Sequence, residues 1–548
     1  MCETSHIGVH YTQVSGARRY GKKLLLKNKL KELIMKNIVK IPLIVIGVFV
    51  AVIVSMAALK LCPPQGPWTM PPWCEGGIEL PKTPTVTLPT IPQTQGGYKF
   101  TVTVPLNTPQ HTVVFLEFPS ASLRMNKKAA NVWEINLAAL PGKTYRYNRN
   151  NWGFVAAEEF SPDSKTTYRT IDKNRKEFND TIMKWRWLPE AGYEMPKIPT
   201  KAGEIAFSPR INGERFQKGV LFVDFWWGNF ADLLNSTHAK LKEDKVEWIE
   251  IAPPWDYKQV NPTPIITSEG FGHTYSDEEI NLHLKKMKAD GFKVFMSSQI
   301  CCVNINNASF SDGWWNAWFE QYENYVMYFV DLANKYDVEA LVISGDQIAL
   351  EKKPTNHKEK LEDIYSKAKQ KYKGKLGRLF FLGGNINNIH ELWPNPNDAP
   401  FMDRWDFFSI NMWTGLTIKN NPTQEELYSN TKKIFDERLK PFYDSYKKPI
   451  VLQQVAYPSI DGGLKSEVGV DDPAIALWEP YSDKYTLDLE EQAMGFEAIL
   501  KNAAETNYIT GVYPFTYWPD DFPMTKEYNI RGKPAEKILM KWYSGIKD

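Results

Sequence analysis

Cysteine and histidine are scarce in this chain, five and eight among 548 residues. Five cysteines do not make the disulfide framework of a small secreted domain, although Cys62 and Cys74 flank a proline-rich stretch and are placed to close one small loop in an oxidising compartment. Cys301 and Cys302 stand side by side at the end of a predicted strand. With so few histidines and no HExxH or CxxC spacing, no metal site is expected, and no cofactor. A basic excess is lacking too. The formal net charge is +2, and nine of the 66 Lys and Arg lie in the first 40 residues, leaving 57 basic against 62 acidic residues in the rest. Nucleic acid is therefore not an expected partner.

One long apolar run is present, Ile41 to Leu59, held between Lys40 and Lys60. About 20 such residues are what a helix needs to cross the hydrocarbon layer. The basic residues precede it, and no charge follows Lys60 until Glu75. The positive-inside rule then gives a cytoplasmic tail over 1–40, a transmembrane helix over 41–61 and an extracytoplasmic remainder, single-pass in the plasma membrane. A cleaved signal peptide is the rival reading, but both the basic segment and the apolar run exceed its usual length. Residues 62–97 are rich in Pro and Thr and read as a stalk.

From Tyr98 the pattern becomes short alternating runs: KFTVTVPL at Lys99, HTVVFLEF at His111, VWEINLAAL at Val132, KTYRYNR at Lys143 and DTIMKWRW at Asp180. Period-two alternation broken by Pro, Gly and Asn predicts a small β-sandwich over 98–200. FTVTVPLNTP, GKTYRYNRNNW and the closing Trp185 and Trp187 resemble the starch-binding family 20 carbohydrate-binding modules. The resemblance implies that Trp152 stacks on a sugar ring; the alternative is that Trp152 and Trp185 are core residues.

From Gly219 onward, eight apolar runs too continuous to have a solvent face alternate with amphipathic stretches. They begin near Gly219, Val246, Phe292, Val338, Arg378, Trp405, Pro449 and Ile509, and predict a (β/α)8 TIM barrel over 210–548. The site of such a barrel lies at the C-terminal strand ends. Those ends carry Asp224, Trp226, Trp227, Trp255, Asp256, Asp346, Gln347, Asn385, Asn411, Trp413, Gln454, Tyr457, Trp518, Asp520 and Asp521. Rings that stack on sugar C–H faces, mixed with amides and carboxylates that bond hydroxyls, suit a polysaccharide cleft. Trp226, Trp255, Asn411, Trp413, Tyr457 and Trp518 are the expected sugar contacts.

The runs Pro253 to Met296, Trp318 to Tyr336 and Lys448 to Gly462 resemble glycoside hydrolase family 113, a β-mannanase-type family of retaining enzymes. The resemblance implies two catalytic Glu, an acid/base after the fourth strand and a nucleophile ending the seventh. Here SGDQI puts Gln347 at the first position, beside Asp346, and LQQVAY puts Gln454 at the second. An amide neither delivers a proton at neutral pH nor forms a glycosyl ester. The expectation is a membrane-anchored protein that binds a mannan, a glucan or an envelope glycan without retaining hydrolysis. Two alternatives stay open: an active glycosidase or transglycosidase using carboxylates among Asp224, Glu250, Asp256, Asp346, Asp520 and Asp521, and a structural surface protein without a sugar ligand.

Overall fold

The computed structural model describes residues 97–149, 157–158, 168–223, 230–268, 275–301, 305, 307–465 and 484–546. The expected tail, the expected transmembrane helix over 41–61 and stalk up to residue 96, with Cys62, Cys74, Trp152, Asp224, Trp226, Trp227 and Cys302, lie outside the described residues. Among the described residues, no helix is long and apolar enough to cross a membrane.

Alternation in the first segment produces two sheets. One has the order β4-β5-β1-β9, built from β1 (Tyr98–Thr103), β4 (Asn126–Ala129), β5 (Val132–Leu137) and β9 (Glu177–Thr181). The other runs β3-β2-β6-β7, from β2 (Val114–Phe118), β3 (Ala121–Arg124), β6 (Thr144–Arg149) and β7 (Ala157–Glu158), with β8 (Arg169–Thr170) also on β6. Every second residue turns inward: Phe100 and Val102 from β1, Trp133, Ile135 and Leu137 from β5, Tyr145 and Tyr147 from β6. Phe100 stacks on Phe178 at 4.6 Å, and the Tyr145 and Tyr147 hydroxyls both donate to Asp180 Oδ2 at 2.8 Å. Trp185 is fully buried in this core, its Nε1 donating to Thr108 Oγ1 at 2.9 Å.

The last strand lies upstream of the run expected from Asp180. β9 pairs in parallel with β1, from Lys99 opposite Glu177 to Thr103 opposite Thr181, and the ladder ends when Ile182 N–H reaches Thr103 O. Trp185 then packs inward, and Trp187, at φ 68°, takes the chain toward the barrel, where its carbonyl accepts from Met524 N–H.

The eight apolar runs from Gly219 onward form a closed parallel barrel. Its staves in order are β10 (Gln217–Leu221), β11 (Trp248–Ile251), β14 (Lys293–Ser297), β16 (Ala340–Ile343), β17 (Lys375–Leu382), β20 (Phe407–Met412), β21 (Ile450–Val455) and β22 (Ile509–Pro514). Smaller strands decorate the loops: β12 (Pro254–Gln259), β13 (Ile265–Thr267) and β15 (Gln299–Cys301) form one sheet, and β18 (Gly384–Asn385) with β19 (Asn388–Ile389) another. The lumen is filled by Trp248, Phe295, Ala340, Val342, Leu379, Phe407, Val451 and Tyr513. Two glycines make room for the rings. A Cβ on Gly219 would lie 2.1 Å from the Tyr513 ring, and one on Gly377 would lie 2.4 Å from Phe407.

Outside the staves pack α1 (Phe230–Glu243), α2 (Asp277–Ala289), α3 (Asp312–Lys335), α4 (Gln347–Lys352), α5 (His357–Lys371), α6 (Gln424–Ile434), α7 (Lys440–Tyr446), α8 (Leu489–Glu505) and α9 (Pro534–Gly545). Capping boxes start α2 at Ser276 and Glu279, and α6 at Thr423 and Glu426, each satisfying N–H groups that a helix start leaves unpaired. The connector from the sandwich is stitched to α8. Glu497 accepts from Thr200 Oγ1, Lys201 N–H, Tyr428 Oη and Trp542 Nε1, and Arg210 donates to the carbonyls of Ala503, Ala504 and Ile509.

Candidate functional site

Strand parity decides which side chains reach the barrel mouth. Along β20, Phe407 faces the lumen, so Ser409 and Asn411 follow on the same side; along β21, Val451 and Gln453 do. By that alternation Gln454 would point outward. Its backbone instead adopts φ 47°, and the pairing with β22 shifts register between Leu452 and Val455. This irregularity turns two consecutive glutamines toward the barrel axis. Gln453 goes to an inner layer, where its Nε2 donates to Glu250 Oε1 and to Ser297 Oγ at 2.6 Å while Ser409 Oγ donates to its Oε1. Gln454 accepts at Oε1 from Asn411 Nδ2 at 2.9 Å.

Gln347 is the first residue of α4, partly exposed, and its side chain makes no hydrogen bond to another described residue. The preceding Gly345 has φ 94°, and a Cβ there would meet Ile300 at 2.8 Å, so the turn favours glycine twice over. That turn separates Gln347 from its neighbour.

Asp346, a candidate carboxylate by sequence, faces away from the lumen and is 1% exposed. Its Oδ2 accepts from Tyr365 Oη at 2.5 Å and from Arg378 Nη2 at 2.9 Å, in the layer between strands and helices. Arg378 is outward on β17 because Gly377 and Leu379 face in, so the carboxylate neutralises a buried guanidinium. Burial, reinforced by the Asp346 charge, pushes the Tyr365 phenol well above its ordinary range, keeping it a donor.

The other carboxylates are also engaged. Asp520 is buried, its Oδ2 accepting from Arg149 Nη1 at 3.0 Å and its Oδ1 bonded to His111 Nε2 at 2.8 Å. Burial alone would raise its pKa, but Arg149, His111 and Arg531 outweigh that and hold it below the usual carboxylate range. Asp521 Oδ1 accepts from Arg531 Nε at 2.7 Å. Asp256 Oδ1 takes the N–H of Tyr257. Glu250 is fully buried in the inner layer, and burial pushes its pKa well above the ordinary value, against the Gln453 hydrogen bond. Among the described residues, no group of three His, Cys, Asp or Glu is placed to hold a metal ion.

The expected sugar contacts separate. Trp413 lies in an aromatic cluster with Phe381, Phe515 and Tyr528, and its Nε1 and Asn411 Oδ1 are buried without a hydrogen-bond partner. Tyr457 does not face the mouth. Its ring packs edge-on against Phe496 of α8 and its hydroxyl donates to Thr414 O, because strand alternation past the Gln454 irregularity sends it outward. Trp255 sits against Tyr325, Tyr328 and Phe329, three residues of α3, rather than standing as a free platform. Trp518 is buried, its ring edge-on to Phe522. Asn385 is spent on a turn, accepting the N–H groups of Asn387 and Asn388. Sequence reasoning missed Ser297, Ser409, Gln453, Phe515 and Tyr528; a polar residue at lumen parity inside an apolar strand was the available signal.

A closed (β/α)8 barrel with amides and aromatic rings at its C-terminal strand ends defines a barrel of glycoside-hydrolase type. The model of Glycoside Hydrolase Family 113 matches residues 228–532, more than half of the chain, and the chain belongs to that family. Similar solved structures include a GH113 β-1,4-mannanase complex, 18% identical with a TM-score of 0.44, covering 60% of this chain and 99% of that one. Another is the GH113 β-mannanase from Alicyclobacillus acidocaldarius in complex with ManMIm, at 18% identity and TM-score 0.45, covering 61% of this chain and 98% of that one. A GH2 β-galacturonidase from Eisenbergiella tayi matches at 12% identity and TM-score 0.36, covering 80% and 67%. No curated protein matches this chain.

Proposed function

We propose that this family 113 member is a glycan-binding protein of the cell surface, anchored by the apolar run 41–61, whose barrel holds a polysaccharide or oligosaccharide without cleaving it by the retaining route. What carries the reading is the pair of amides Gln347 and Gln454, which the motif resemblance aligns with the acid/base and nucleophile positions, the second held by Asn411 Nδ2. Retaining hydrolysis needs one carboxyl to protonate the leaving oxygen and another to attack the anomeric carbon. Neither amide does either. Among the described carboxylates, Asp346 is held by Arg378 and Asp520 by Arg149, and Glu250 is sealed in the inner layer. An amide pair keeps the hydrogen-bonding outline of the carboxylates, so binding survives where chemistry does not.

β-1,4-Mannan is the first ligand to test, since family 113 proteins of known structure are named as β-1,4-mannanases. The sandwich, by its likeness to starch-binding modules, supplies a second contact for glycan. Titration of the chain with mannooligosaccharides and glucooligosaccharides, together with a reducing-end assay, tests the reading. Saturable binding without new reducing ends supports it. Hydrolysis that survives both Gln347→Ala and Gln454→Ala overturns it in favour of a rebuilt carboxylate pair.

A further inference from the structure

We propose that Arg149 and His111 of the sandwich are positioning residues for the barrel mouth, holding in place the loop after β22 that carries Trp518 and Tyr528. The inference rests on reading that mouth as a glycan site. Arg149 is the last residue of β6, and both it and Asp520 are fully buried. Besides its bond to Asp520, Arg149 donates from Nη2 to Asp521 O at 3.1 Å, and its guanidinium lies 5.3 Å from the centre of the Phe522 ring. Three successive residues of the loop are thereby held by one side chain of the other domain, and His111 adds a second bond to Asp520.

The same loop is also held from within the barrel, where Thr237 Oγ1 donates to Pro519 O, Arg531 Nε to Asp521 Oδ1 and Ser459 N–H to Lys526 O, but the side-chain hydrogen bonds to Asp520 come from the sandwich. Asn529 Oδ1 accepts from Trp518 N–H at 3.0 Å, and Arg531 Nη1 donates to Trp518 O at 3.0 Å. From the loop, two ring contacts lead inward. Phe522, under Arg149, meets the Trp518 ring edge-on at 5.5 Å, and Tyr528 lies 5.8 Å from Trp413, the ring of the mouth cluster. A buried carboxylate that loses its guanidinium must find a new partner or reach water, and either response moves the loop backbone. The sandwich therefore sets the mouth geometry through a buried ion pair, without touching the ligand in the barrel.

The test uses the full chain and hydrogen–deuterium exchange of the peptides spanning 517–532, read beside affinity for mannohexaose. Arg149→Met should speed exchange in 517–532 by about tenfold or more while the sandwich core strand 98–103 keeps its protection. Mannohexaose affinity should fall by a similar factor. Arg149→Lys should restore part of both, since an ammonium replaces the charge but only one of the two hydrogen bonds. Should Arg149→Met fail to fold, Arg149→Met with Asp520→Asn removes the stranded charge and should fold with 517–532 still deprotected. Unchanged exchange in 517–532, or equal acceleration throughout sandwich and barrel, overturns the proposal. If the exchange pattern is as stated but the wild type binds no glycan, positioning stands and the glycan reading falls.

Discussion

Asn411 donates its side-chain N–H to Oε1 of Gln454 across 2.9 Å, joining the ends of neighbouring strands β20 and β21 at the residue where the β21 backbone takes a positive φ. Replacing Asn411 by Ala leaves a buried amide oxygen unsatisfied, which costs about 1–3 kcal/mol. Urea denaturation of Asn411→Ala should show that loss, and titration should show weaker mannooligosaccharide binding. An unchanged affinity would take Gln454 out of the site.

Placing carboxylates at positions 347 and 454 is the direct assay of the proposed non-catalytic reading. The double change Gln347→Glu with Gln454→Glu should produce slow release of reducing ends with retained anomeric configuration, read by NMR of the first product. Neither single change should do so, because acid and nucleophile act in one sequence of steps. Asn411 Nδ2 is already placed to donate to the new carboxylate at position 454.

Asp346 is expected to matter for stability and not for ligand. Asp346→Asn leaves Arg378 as a buried charge without its counter-ion, a loss of about 3–5 kcal/mol when one partner of such a pair is removed. The unfolding midpoint should fall accordingly, while mannooligosaccharide affinity, measured well below that midpoint, should match the wild type.

Glu491 gives the stability a pH dependence of predictable sign. Its carboxylate accepts the N–H groups of Gly462 and Leu464 at 2.7 and 2.9 Å, yet burial outweighs these bonds and lifts its pKa to about 7. Between the unfolded value of about 4.5 and that pH the native state binds the extra proton, so this residue's contribution to stability declines as pH rises through the interval. Glu491→Gln should flatten the pH 5 to 7 limb of a thermal-melting series; a limb of unaltered slope would assign the dependence to other groups.

The barrel was legible because each stave is buried on both faces and reads as a continuous apolar run, as in VEALVIS or PIVLQQVA. Strands β3 and β4 were not, since ASLR is mostly half-buried and NKKA exposed throughout, so neither carries an alternation to read. The family was legible from short motifs, the runs beginning at Pro253, Trp318 and Lys448, all of which lie inside the matched residues 228–532. The fate of Tyr457 was not, because it depends on a backbone irregularity at Gln454 that no local pattern announces. Asp520 looked free for the same kind of reason: its partners His111 and Arg149 lie 409 and 371 residues earlier in the chain. Pairings at that distance follow from the packing of whole domains.

Glu497 collects its four donors from the connector, α6 and α9, and sits itself on α8. A ribosome makes these pieces in the order connector, α6, α8, α9. Thr200 and Lys201 thus exist long before the acceptor that will hold them, and Trp542, near the very end, is the last to arrive. During translation the connector must wait, unanchored, between a sandwich whose sequence is complete and a barrel whose first and last staves, β10 and β22, have not yet met.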